Sequence, residues 1–98
     1  MEDKILSLVV VIKTKEEKRE FVKNEVSKIV PIVLEEEGCI NYDFHQDIND
    51  ENIFIFYENW ATREAWQNHV NSEHMKNYSK LTSDFIEEKK LYKLTKLF

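Results

Sequence analysis

Ninety-eight residues, 42% of them hydrophobic and with a single Gly and a single Pro, fit one domain spanning 1–98 with a modest core and few loops. The formal charge of −5, with Lys and Arg interleaved among Glu and Asp, argues against a nucleic-acid partner, which would need clustered cations. Cys39 stands alone, which excludes an intrachain disulfide and a thiolate zinc cluster and fits a reducing cytoplasm.

In chain order, Ile5 to Lys13 is rich in Val and Ile and predicts a strand apolar on both faces apart from Ser7. The run is too short to span a bilayer, follows Glu2 and Asp3, and lacks a small-residue cleavage site, so neither a membrane anchor nor a signal peptide is expected. Thr14 and Glu17 have the spacing of a capping box opening a long helix. Val22, Val26, Ile29 and Val33 then form one apolar stripe, Pro31 predicts a kink, and Gly38 offers the left-handed position that ends a helix.

Cys39 to Asp47 alternates, with Ile40, Tyr42 and Phe44 opposite Asn41, Asp43 and His45. A polar turn at Asn49 to Asn52 leads into a second strand, Ile53 to Trp60, apolar on both faces. Thr62 caps a short helix carrying Ala65, Trp66, His69 and Val70 on one face. Asn71 or Ser72 caps another with His74, Tyr78, Leu81 and Phe85 in a stripe. A strand from Leu91 to Phe98 completes the order β-α-β-β-α-β, an α+β ferredoxin-like fold with an antiparallel four-stranded sheet and helices on one face. Strands apolar on both sides leave the other face uncovered, and a homodimer packed sheet to sheet would bury it.

Histidines on apolar stripes are unusual because their ring nitrogens need partners once buried. His69 and His74 read either as satisfied structural residues or as the lining of a cavity. In the second reading His74, in the first turn of its helix, is kept neutral by the macrodipole and can accept a proton from a phenol. Their spacing of five turns the side chains about 140° apart on one helix, which disfavours a metal site built from this pair. Trp60, Trp66 and Tyr78 fit either a core or a flat slot for an aromatic ring. With Gly38 as the sole glycine, no glycine-rich nucleotide or dinucleotide loop exists, which removes the usual nicotinamide, flavin and nucleotide folds.

Two segments carry a resemblance: Trp60-Ala-Thr-Arg-Glu-Ala-Trp-Gln-Asn-His69-Val-Asn-Ser-Glu-His74-Met-Lys-Asn-Tyr78, and Lys28-Ile-Val-Pro-Ile-Val-Leu-Glu-Glu-Glu-Gly-Cys-Ile-Asn-Tyr42. Together they resemble the antibiotic-biosynthesis monooxygenase family, most closely its small bacterial quinol monooxygenase branch. The resemblance implies a dimeric α+β barrel and a cofactor-independent monooxygenase that oxidises a small quinol or phenolic aromatic with dioxygen, itself reduced by the deprotonated substrate. It places His69 and His74 as catalytic residues, and Trp60, Trp66, Tyr78, Phe56 and Ser7 around the substrate. Where relatives that oxidise polycyclic phenols carry a polar amide, this chain has Phe56. The haem-degrading branch's Asn, Trp and His correspond to Ser7, His69 and Ser79, which disfavours haem. Alternatives are an isomerase of a small carbonyl or phosphorylated signal compound using the same His pair, and a non-catalytic small-molecule-binding stress protein. A phosphorylated ligand would require a cationic pocket, and the arginines are only Arg19 and Arg63.

Overall fold

The computed structural model describes residues 5–98; the N-terminal flank with Glu2 and Asp3 lies outside the described residues. The Val- and Ile-rich segment forms β1 (Leu6–Thr14), a 3-10 turn follows at Glu16–Lys18, and α1 spans Arg19–Leu34. Next come β2 (Cys39–Gln46), β3 (Ile53–Trp60), α2 (Arg63–Val70), α3 (Glu73–Thr82), a 3-10 turn at Ser83–Phe85, and β4 (Ile86–Leu94). β1 pairs antiparallel with β3 and β4, and β3 with β2, giving the ferredoxin-like order β2-β3-β1-β4. No helix among the described residues is long and apolar enough to cross a membrane.

Alternation divides the sheet. Leu6, Leu8 and Ile12 of β1, Phe54, Phe56 and Trp60 of β3, and Tyr42 of β2 are buried with Val22, Val26 and Val33 of α1 in one core. Each such side chain contributes roughly 1.5–3 kcal/mol when fully buried, which is why α1 stays helical through Pro31 in its last turn. On the opposite face Val9 stands between Tyr57 and Tyr92, and Val11 is opposite Ile55. Tyr57 and Tyr92 remain 42% and 41% exposed, so this face has no cover among the described residues.

Several local expectations are corrected. Thr14 does not cap a helix: its backbone N–H donates to Asn52 O at 2.8 Å as the last, wholly buried residue of β1. Sheet pairing outcompetes the cap, and α1 begins without a side-chain cap. Gly38 does have positive φ (85°), but in the turn closed by Cys39 N–H to Glu36 O at 3.1 Å, beyond the helix end. Ile40 does not share a face with Tyr42 and Phe44. Cys39 pairs with Trp60 and Asn41 with Asn59, so Ile40 is the extra residue of a bulge and is exposed. Leu81 is exposed as well, the inward face of α3 being Met75, Tyr78 and Thr82. The last strand begins at Ile86 and ends at Leu94, because the charged run Glu87 to Lys90 sits on an exposed edge strand with no apolar alternation to mark it.

Gly38 is where the fold's tolerance is smallest. A Cβ there would collide with that of Ala65, in addition to the left-handed backbone. Gly38→Ala is expected to cost about 2–4 kcal/mol, combining backbone strain with overpacking. Urea unfolding of Gly38→Ala beside Gly38→Ala/Ala65→Gly checks this: the second change should restore only the steric part, and an unchanged midpoint for the single variant would contradict the turn.

Candidate functional site

The break at Asn71 and Ser72 divides what the β-α-β-β-α-β order treats as one helix. Thr62 caps α2, accepting from Ala65 N–H at 3.0 Å, and Ser72 caps α3, accepting from Met75 N–H at 3.4 Å. Between these helices, the core face of β1 and β3, and the start of β4 lies a cavity of about 590 Å³. Its walls are mainly apolar and aromatic, including Val10, Phe56, Trp66, Met75, Tyr78 and Leu91, with Glu58, His69 and Lys89 as the ionisable side chains apart from Tyr42 and Tyr78. That volume suits a ligand of one or a few rings.

His69, near the end of α2, is 3% exposed and lies against Trp60 with ring centroids 4.7 Å apart. Its Nδ1 is 2.6 Å from Glu36 Oε1, in the turn after α1. Burial pushes the imidazole below its usual range, outweighing the hydrogen bond and negative charge of Glu36, which act upward. In the neutral ring Nδ1–H donates to Glu36, leaving the Nε2 lone pair for the cavity. His74 stands behind. Its Nε2 is 3.0 Å from Glu36 Oε2 and 3.2 Å from Ser72 Oγ, whose own proton is committed to His69 O at 2.7 Å. His74 is not among the cavity's lining residues, because its ring turns toward Glu36.

The anticipated slot is therefore assembled in part. Trp66, Tyr78 and Phe56 line the cavity. Trp60 is fully buried behind His69, its Nε1–H donating to Glu58 Oε1 at 3.0 Å, so it supports the wall from within. Ser7 does not reach the cavity: odd positions of β1 point to the uncovered face, where its hydroxyl donates to Asn59 Oδ1. Ser79 lines the cavity. Arg19 instead engages Asn52 and Glu51 beside the β2–β3 turn, and among the described residues Lys89 is the one Lys or Arg in the lining.

Two carboxyl groups join the site. Glu58 occupies the same parity of β3 as Phe54, Phe56 and Trp60, and a carboxyl in that apolar register is itself a signal. Glu36 had none, being the middle of three consecutive glutamates. Glu58 is 4% exposed, and desolvation pushes it up to about 7 despite the Trp60 hydrogen bond and nearby Lys89, which favour the charged form. Raised above its unfolded value, it adds stability fully present below about pH 4.5 and lost as pH rises through about 7, up to roughly 3 kcal/mol. Glu58→Gln should therefore gain stability relative to the parent as pH rises from 5 to 8. Urea midpoints for the two proteins across that range provide the check, and a difference independent of pH would place Glu58 in water.

Comparison with known proteins agrees with this architecture. Residues 5–81 match the family model described as antibiotic biosynthesis monooxygenase. The Bacillus subtilis protein named "Putative monooxygenase YcnE" is 33% identical over 67 residues, 68% of this chain and 70% of that protein. The uncharacterized protein sll1783 of Synechocystis is 32% identical over 82 residues, 81% of this chain; the matched part is 55% of that protein's length. The crystal structure of PA3566 from Pseudomonas aeruginosa superposes with a TM-score of 0.92 at 28% identity, covering 100% of this chain and 99% of that one. The chain belongs to the antibiotic biosynthesis monooxygenase family.

Proposed function

We propose that the cavity binds a small quinol or other phenolic aromatic and that the protein oxidises it with dioxygen without a prosthetic group. The observation that carries this reading is His69: a neutral imidazole fixed at Nδ1 by Glu36 while its other nitrogen serves an apolar, ring-sized cavity. A phenolic hydroxyl presented to Nε2 gives up its proton there, and Glu36 stabilises the imidazolium that results. The phenolate, now electron-rich, passes an electron to dioxygen, and the two radicals combine at a ring carbon. Loss of water from the hydroperoxide leaves a carbonyl. The balance for a quinol is quinol plus dioxygen to hydroxyquinone plus water, so the substrate supplies all four electrons. Trp66, Phe56 and Tyr78 hold the ring and exclude water. His74 acts as a positioning residue through Glu36. A phosphorylated ligand is less well served, since Lys89, the one lining Lys among the described residues, is also a charge neighbour of Glu58.

Oxygen uptake by metal-free protein over a panel of quinols tests the reading. His69→Ala should lower kcat by roughly two to four orders of magnitude, the span of a positioned base. His74→Ala should cost less and shift the pH profile, because it loosens Glu36 without removing the proton acceptor. Absence of uptake with every quinol, or full turnover in His69→Ala, would refute the assignment.

The uncovered sheet face completes the proposal. Val9, Val11, Ile55, Tyr57, Tyr92 and Leu94 form an apolar strip across three strands, and a two-fold partner would bury it. Sedimentation at micromolar concentration should give a dimer, and Tyr57→Lys should shift it toward monomer while preserving the far-ultraviolet spectrum. A parent protein that sediments as a monomer would rule this out.

A further inference from the structure

The helix break does something that the five-residue spacing of the histidines does not suggest: it turns α3 so that His74 meets His69 across Glu36. The nearest approaches are 2.6 Å from Glu36 Oε1 to His69 Nδ1 and 3.0 Å from Oε2 to His74 Nε2. One ligand atom from each of the three side chains lies within 4.8 Å of the other two. We propose that Glu36, His69 and His74 form a binding site for Zn²⁺, and that an ion there switches off His69 as a proton acceptor.

The chemistry of the set favours this. Two imidazoles and one carboxylate are the ligand types zinc takes, and a tetrahedral ion with ligands at about 2.0–2.2 Å spaces them roughly 3.3 Å apart. The hydrogen-bonded atoms must spread by less than an ångström, while the more distant pair closes by about as much or more. Glu36 lies in the turn after α1 and His74 in the first turn of α3, where a small adjustment does not disturb the sheet. The fourth position is left to water or to the Ser72 hydroxyl, 3.2 Å from His74 Nε2. Two histidines alone are too few ligands for a zinc site, and Glu36 supplies the third.

The regulatory consequence follows from the tautomer. In the metal-free site the His69 proton is on Nδ1 and the lone pair on Nε2. An ion ligated by Nδ1 forces the proton of a neutral ring onto Nε2, so the nitrogen serving the cavity becomes a donor. His74 moves its proton to Nδ1 in the same way. Where both rings start neutral, the rearrangement releases no proton. The binding claim is independent of what the cavity oxidises, whereas the switching claim rests on the proposed function.

Calorimetric titration of the metal-stripped full chain with ZnCl₂ at neutral pH tests binding. One ion per chain is expected, weakened at least about tenfold in Glu36→Gln and in His74→Ala, as loss of a ligand requires. His45→Ala is the control, since His45 projects from β2 on the uncovered face of the sheet. The two ligand variants are checked for folding by circular dichroism, and Glu36→Gln alone decides if His74→Ala does not fold. No saturable binding by the parent, equal affinity in Glu36→Gln, or loss of affinity in His45→Ala would each overturn the site. Zinc binding as described with no quinol oxidation by the stripped protein would refute the proposed function and leave the site standing. Oxidation unaffected by stoichiometric zinc would refute the switch alone.

Discussion

A single carboxylate joins three separate pieces of the helical layer. Glu36 belongs to the turn leaving α1, yet its two oxygens are taken by an imidazole near the end of α2 and by another in the first turn of α3. Without that carboxylate, His69 would be a buried ring with an unpaired N–H, and a buried donor left unmade costs roughly 1–3 kcal/mol. The Gly38 turn fixes where Glu36 can stand. Its left-handed backbone and its missing Cβ let the chain pass against Ala65 of α2, so the contact that positions Glu36 also seats the helix carrying His69.

The cavity takes its chemical character from the same desolvation acting in opposite directions. Burial disfavours charge, which moves His69 down and Glu58 up, toward neutrality in both cases. One wall thus holds an imidazole pushed toward its neutral form and another a carboxyl pushed up to about 7, a pairing that acid–base sites commonly use. Trp60 links the two without entering the cavity, its ring against His69 and its N–H on Glu58. A residue that matches a substrate-slot position by resemblance is here the support that holds both ionisable groups in place.

Strong periodicity made the framework legible. The α1 stripe and the bounds of β3 follow from the sequence because apolar period and structural period coincide there. The cap at Thr62 was equally readable, and of the two candidates Asn71 and Ser72 it is Ser72 that caps α3, since these side chains satisfy orphan N–H groups locally. What failed was decided by distant partners: Thr14 by pairing with Asn52, Ile40 by a bulge against β3, and β4 by an edge where charged residues face water. The site divides in the same way. Aromatics and histidines announce themselves by type, but whether His74 faces the cavity depends on Glu36, 38 positions earlier in the chain and indistinguishable there from its neighbours.

A domain this small has only about 5–15 kcal/mol of net stability to lose, and it commits much of one wall to groups that weaken a core. Glu58 occupies an apolar register position, His69 another, and the space between Val10 and α3 is left open where a larger side chain would pack. Isolated in a core, each would be a defect that substitution readily removes. Found together on one cavity, with Glu36 and Trp60 holding them, they are concentrated where chemistry would use them. The uncovered sheet face lies on the other side of the same strands, so burying Val9, Val11 and Tyr57 against a partner would stiffen β1 and β3 directly beneath the cavity floor. Assembly and the proposed chemistry would then be coupled through two strands: burial of the face that a monomer leaves wet would offset the cost of the site.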